Sequence, residues 1–275
     1  MIKKIVIIII CFATANFAAA QTDTIFVADS AIIAEISEIN DTLPLIANVD
    51  VQAKNPKSKT DIALSFAIPS ALITYGIITR FTPKLQNFDH ITGAKIKQNI
   101  YRKYTFDDYI QYAPYIAIFG LDLCKVRAKH GFWERALVTA TGVLIMGTVV
   151  SATKYTTHIE RPDGSNFHSF PSGHTATAFL GAHILFREYR DVSPWIGVAG
   201  YAAAFTTGAM RMINQKHWFS DVVTGAGVGV LSAELSYLLL PAWRKLFKIK
   251  PRESSVIITP AISHNQAAIS GIWVF

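Results

Sequence analysis

Between residues 154 and 221 the chain carries three short polar clusters separated by apolar stretches. The first runs from Lys154 to Arg161-Pro162. The second is Pro171-Ser172-Gly173-His174. The third runs from Arg211 through His217 to Asp221. Lys154, Arg161 and Arg211 supply fixed positive charge, His174 and His217 supply imidazoles, and Asp221 supplies a carboxylate. A phosphoryl group in transit spreads negative charge over its equatorial oxygens, and its transfer is catalysed mainly by positioning and charge stabilisation. The inventory suits that task. The cations do the charge work, so no metal and no cofactor is expected.

His217 and Asp221 are four residues apart, which places them on one face of any helix through them. A carboxylate there can accept a hydrogen bond from one imidazole nitrogen, fix the tautomer and leave the other nitrogen free to attack. His217 is therefore the expected nucleophile and Asp221 its orienter. The product of attack is a phosphohistidine, which water resolves. Alone, the pair also reads as a surface histidine beside a helix-capping aspartate. In the second cluster, Gly173 permits close backbone approach. A helix opening there turns free N–H groups and its dipole toward an anion. Ser172 adds a hydroxyl donor, and His174 suits a general acid that returns as the base activating water. The same triplet fits an ordinary N-cap. In the first cluster, Pro162 biases Arg161 away from helical geometry, so the chain turns. Lys154 also suits an interfacial anchor. Arg161 and Arg211 are better shaped than Lys for forked contacts with phosphate oxygens.

Six apolar stretches must position these groups: 62–80, 109–124, 133–153, 174–187, 194–210 and 221–240. They predict an all-α bundle of about six helices, embedded in a membrane, with a short β-hairpin-like tail. Several fall short of the ~20 residues of a usual span. The stretches 174–187 and 194–210 fit buried bundle helices as well as lipid-facing ones. Asp191-Val192-Ser193 before Pro194 signals a capped helix start, and Pro241 is expected to close another helix. Residues 81–108 are basic and mixed, and fit an amphipathic surface helix or a solvated connection.

Composition sets the frame. The chain has 275 residues, 51% apolar and 16% charged, with a net charge of +7. That is apolar for a soluble domain, and the basic residues fall between apolar segments as they do beside membrane spans. No basic–aromatic stripe supports nucleic acid as a partner. Residues 1–20 read as an export signal, with Lys3 and Lys4, the apolar run Ile5–Phe12 and Ala18-Ala19-Ala20. A polar leader over 21–60, a helical domain over 61–243, and a basic exit with a β-rich tail over 244–275 complete the organisation. The two tail runs flank Asn265-Gln266. Cleavage of the signal would leave Cys124 as the only cysteine, with no internal disulfide.

The pattern Lys-x6-Arg-Pro, Pro-Ser-Gly-His and Arg-x5-His-x3-Asp over about residues 130 to 240 resembles the type 2 phosphatidic acid phosphatase superfamily. That group includes bacterial non-specific acid phosphatases and vanadium haloperoxidases. The resemblance implies that Lys154, Arg161, Ser172, Gly173 and Arg211 bind phosphate. It also implies that His217 with Asp221 is the nucleophilic pair and His174 the acid. Met210 stands where the family usually has Ser, which removes one hydrogen bond.

The implied activity is metal-independent hydrolysis of a lipid phosphate or diphosphate. The alternatives are a periplasmic acid phosphatase acting on soluble phosphomonoesters and a vanadate-dependent haloperoxidase. A membrane and a lipid phosphate are the expected partners. The expected location is the bacterial-type cell envelope, in the inner membrane with the site facing the periplasm.

That placement makes 125–135, 187–193 and 242–252 cytoplasmic, where Lys125, Arg127, Lys129, Arg135, Arg187 and Arg190 satisfy the positive-inside rule. Export of residue 21 then conflicts with a full crossing by 62–80, and Pro69 is expected to bend that segment short. His158 and His168 fit the site entrance, and His183 fits a satisfied core histidine. Trp218 and Phe219 fit packing beside the nucleophile.

Overall fold

The computed structural model describes residues 59–99, 105–249, 255–263 and 266–274. Eight α-helices are described: α1 (Lys59–Phe81), α2 (Pro83–Asn99), α3 (Asp107–Ile110), α4 (Ala113–Gly120), α5 (Phe132–Thr157), α6 (Gly173–Tyr189), α7 (Pro194–Ile213) and α8 (Phe219–Phe247). Two strands follow, β1 (Ser255–Ser263) and β2 (Gln266–Val274). They pair antiparallel with Ser263 opposite Gln266, so the expected tail hairpin is present. The expected signal at 1–20 lies outside the described residues, as does the leader over 21–58.

Helix α6 is the centre of the bundle. Its Ala176, Leu180, Ala182 and Ile184 are fully buried, as suits a helix apolar on every side. Helices α7 and α8 pack on it. Small residues set the approach of α8: a Cβ on Gly229 would stand 2.3 Å from the Ala176 carbonyl oxygen, and one on Gly225 would stand 2.5 Å from that of Ser172. Only glycine lets the backbones meet this closely. The contact brings the first turn of α8, which carries Asp221, against the start of α6. The Ser172 amide then donates to the Asp221 carbonyl at 3.0 Å.

The chain runs toward one end of the bundle in α5, away in α6, back in α7 and away again in α8. The three clusters therefore gather at one end. The opposite end is held by ion pairs that each have one buried member. Arg244 Nε donates to Glu134 at 2.5 Å, and Arg135 pairs with Asp122. Glu188 accepts from the His130 amide at 2.9 Å and from Tyr237 at 2.5 Å. His183 lies between Tyr201 at 2.6 Å and Glu234 at 2.7 Å, the satisfied core histidine expected.

The structure departs from the sequence reading in four places. The stretch 109–124 is not one helix. It breaks into α3, a turn, the eight residues of α4 and a 3-10 turn at Leu121–Cys124, with Pro114 opening α4 where no amide is needed. Pro241 does not close α8, which runs on to Phe247. Helix α1 passes Pro69 unbroken, and its 23 residues extend about 34 Å. Ser193 stands at the N-cap of α7, followed by Pro194 at the first helical position, but makes no side-chain cap. Part of 81–108 is helical, as α2.

Helices α5 and α8 are long and apolar enough to cross a membrane. Large apolar side chains point outward, among them Leu144 at 71% exposed, Trp195 at 74% and Phe205 at 65%.

Candidate active site

Two loops at one end of the bundle bring the clusters together. The first, 158–172, leaves α5 through His158 in the left-handed conformation. The second, 214–218, joins α7 to α8. They are stapled to each other: the Asp163 amide donates to the Gln215 carbonyl at 3.1 Å, Lys216 Nζ reaches Asp163 at 2.7 Å, and Trp218 Nε1 donates to the Glu160 carbonyl at 2.9 Å. Burial would raise the Asp163 carboxyl, but hydrogen bonds from Lys216 and Ser165 outweigh it and hold the group at about 2. The staple is therefore ionic throughout the neutral range.

His217 is 2% exposed, and its Nδ1 lies 2.7 Å from the Ser169 carbonyl oxygen. A carbonyl only accepts, so Nδ1 carries the proton and Nε2 keeps its lone pair. This corrects the expectation for Asp221. Its nearer oxygen is 3.7 Å from Nδ1, too far for a hydrogen bond. That oxygen instead accepts from Ser169 Oγ at 2.5 Å and from the Trp218 amide at 2.9 Å, capping α8. Asp221 therefore acts on His217 through its charge and by fixing Ser169.

Burial drives the His217 imidazole down to about 4. Asp221 partly offsets this, and the positive charges of Lys154 and Arg161 add to it. The ring is neutral at pH 7, as a nucleophile must be. Stability follows with a definite sign. An unfolded histidine titrates near 6.5, so below that pH the unfolded chain takes up a proton that the native state refuses. The native state loses stability as pH falls from about 6.5 to about 4, by roughly 3 kcal/mol in full. Thermal unfolding of the wild type and of His217→Gln between pH 7 and 4.5 checks this. The wild type should lose more stability over that window than the variant.

The other expected residues converge on the same end. Lys154 Nζ donates to the His168 carbonyl at 2.6 Å. Arg161 is pushed below the usual guanidinium range by burial and then by Arg211, and its Nε is buried without a partner. Like charges near one another, with a buried guanidinium donor unmet, are what an anion site requires. Ser172 is the buried N-cap of α6, paired with the Thr175 hydroxyl at 2.9 Å, so its hydroxyl also serves the helix. Gly173 and His174 are the first two residues of α6, before the first intrahelical bond from the Ala176 amide to Ser172. Their amides are available to an anion.

His168 lends its carbonyl to Lys154, and its ring lies 6.3 Å from that of His158. Phe219 packs edge-on against Tyr75 and Phe88. An apolar groove of about 150 Å³ reaches the site beside Thr153 and Pro171, lined by Ile73, Ile77, Val149 and Val228.

Sequence reasoning missed four residues here. Arg80 at the end of α1 donates to Asp221 at 2.9 Å, also bonds Ser220, and lies 4.9 Å over the Phe170 ring. Asp89 in α2 accepts from the Ser220 amide at 3.1 Å and hydroxyl at 2.5 Å. Asp107 accepts from Arg211 at 2.6 Å and from Asn214 at 3.1 Å. Asp108 lies 3.0 Å from His174 Nε2. The adjacent acids Asp107-Asp108, in an otherwise basic segment, were the available signal. Arg80 gave none, because a cation ending an apolar helix looks like an anchor.

Known proteins similar to this chain include two lipid A 1-phosphatases. A lipid A 1-phosphatase from Porphyromonas gingivalis is 43% identical over 132 residues, covering 48% of this chain and 30% of the relative. One from Rhizobium johnstonii is 37% identical over 145 residues, covering 46% of this chain and 56% of the relative. The chain thus spans about a third to somewhat over half the length of these relatives. Among solved structures, Aquifex aeolicus LpxE aligns at 22% identity and TM-score 0.39, over 48% of this chain and 84% of that one. A transmembrane PAP2 type phosphatidylglycerolphosphate phosphatase from Bacillus subtilis aligns at 19% identity and TM-score 0.42, over 66% and 98%. The PAP2 superfamily model matches residues 135–245. All three clusters fall inside that stretch, and over it the chain is similar to the PAP2 superfamily.

Proposed function

We propose that this chain is a membrane phosphatase that removes a phosphate from lipid A or a closely similar lipid phosphate through a phosphohistidine intermediate. The observation that carries the reading is His217: its Nδ1 is tied to a carbonyl, its Nε2 lone pair is free, and Lys154 and Arg161 are close enough to act on its charge. In the first step Nε2 attacks phosphorus and the bond to the leaving oxygen breaks. His174 gives its proton to that oxygen. Lys154, Arg161, Arg211 and the amides of Gly173 and His174 hold the equatorial oxygens. The ring is now cationic, and Asp221 at 3.7 Å offsets its charge. In the second step water attacks phosphorus, His174 takes its proton, and phosphate leaves with His217 restored.

The lipid reading rests on three supports: the outward apolar faces of α5 and α7, the apolar groove beside the site, and the names of the curated relatives. The end opposite the site carries Lys125, Arg127, Lys129, Arg187, Arg190 and Lys245, which favours that end as cytoplasmic and the site as periplasmic. A phosphate-release assay on purified chain with EDTA tests the function. Micellar lipid A, phosphatidic acid, phosphatidylglycerophosphate, polyprenyl diphosphate and p-nitrophenyl phosphate are compared. Release from lipid A well above the rest is expected. A preference for p-nitrophenyl phosphate, or activity lost to EDTA, contradicts the reading.

A further inference from the structure

The acidic pair at the start of α3 faces the site, and its two members are held very differently. Asp107 is fully buried and bonded twice, to Arg211 and Asn214, so it is fixed. The Asp108 side chain is 51% exposed. One of its oxygens lies 3.0 Å from His174 Nε2 and 3.4 Å from Arg211 Nη1. That oxygen stands between the nitrogen suited to protonate a leaving oxygen and a guanidinium suited to hold the phosphoryl group. An oxygen of a bound phosphoryl group needs the same place. Two anionic oxygens cannot share it, and a half-exposed side chain with one loose contact is the cheaper to move.

We infer that Asp108 is a displaceable internal anion, which competes with phosphate for His174 and Arg211 and so sets how tightly the site holds substrate and product. The inference rests on the reading of those two residues as phosphate-handling groups. A carboxylate in the pocket weakens the binding of every phosphate, including the inorganic product, and a site lined by three cations otherwise retains that product. Asp107 cannot serve this way, because moving it would break two buried hydrogen bonds, from Arg211 and from Asn214. Asp108 lies outside residues 135–245, so the family match does not reach it.

The test uses the full chain in detergent and inorganic phosphate as the probe, with binding read by calorimetry and, separately, by competitive inhibition of lipid phosphate hydrolysis. Asp108→Asn keeps the shape and removes the charge. It should bind phosphate about fivefold or more tightly and lower KM in step, a size fitting one half-exposed carboxylate. Asp108→Glu restores the charge and should return affinity toward the wild type. Unchanged affinity in Asp108→Asn overturns the inference, as does failure of both proteins to bind phosphate. A fall in kcat with KM unmoved also overturns it, because that pattern belongs to a residue that positions His174. Tighter phosphate binding by Asp108→Asn in a protein that hydrolyses no lipid phosphate leaves this inference standing and removes the proposed function instead.

Discussion

Replacement of His217 by Ala should lower kcat on a lipid phosphate by about 10⁴-fold or more, the scale seen when a covalent nucleophile is removed. No neighbouring group can take its place. His174 is directed at Asp108, and Lys154 is bonded to a carbonyl as a cation without a lone pair to offer. The residual rate should come from cations and helix amides that still bind the phosphoryl group. Folding should survive, because the loss leaves one acceptor, the Ser169 carbonyl, without its donor, at about 1–3 kcal/mol. Steady-state phosphate release and a melting curve on the same preparation check both halves. A folded variant retaining more than a tenth of wild-type kcat rules out His217 as nucleophile.

Arg80→Met should have the largest effect on stability. Arg80 bonds Asp221 at 2.9 Å and lies 3.6 Å from Asp89, and these carboxylates are 0% and 3% exposed. Methionine fills much of the stem but carries no charge. Two buried carboxylates then lose their cation, a change that costs about 3–5 kcal/mol when one partner of a buried pair is removed. Burial already pushes the Asp89 carboxyl up, so it is the group that would take a proton in response. Adding Asp89→Asn should therefore recover part of the loss, which separates charge from packing. Activity should fall as well, because Asp221 and Ser169 set the tautomer and place of His217. Melting in detergent of wild type, Arg80→Met and the double variant measures this. A single variant within about 1 kcal/mol of wild type contradicts the role given to Arg80.

The sequence exposed the site more fully than the scaffold around it. Lys154, Arg161, His174, Arg211, His217 and Asp221 carry their chemistry in residue type and spacing, and the structure brings them to one end of one bundle. The helices 133–153, 174–187, 194–210 and 221–240 were legible because each is a long apolar run, though α8 passes Pro241. The segment 109–124 was not, because hydropathy alone does not reveal that Pro114 begins a separate short helix.

The bond between His217 and Ser169 was hidden for another reason. A backbone acceptor has no signature in residue type, whereas Asp221 four residues on offered an obvious partner. Arg80, Asp89, Asp107 and Asp108 reach the site from 103 to 137 positions away from His217 or Arg211 in other segments, and single-chain spacing carries no signal across such separations. Helix α1 packs antiparallel on α8, with Gly76 beside Thr224 and Arg80 beside Asp221, so it places its Arg80 end at the site. The expected bend at Pro69 would have hidden that contact.

Capture of the phosphorylated enzyme is the decisive measurement. Wild-type chain is mixed with lipid phosphate, quenched in alkali within the first turnover, digested and sequenced by mass spectrometry. Phosphorus should be found on the peptide holding His217 and on no other histidine, and it should be absent from His217→Ala. Turnover with no phosphorylated histidine at any quench time, or phosphorus on His174 instead, would contradict the direct attack by His217.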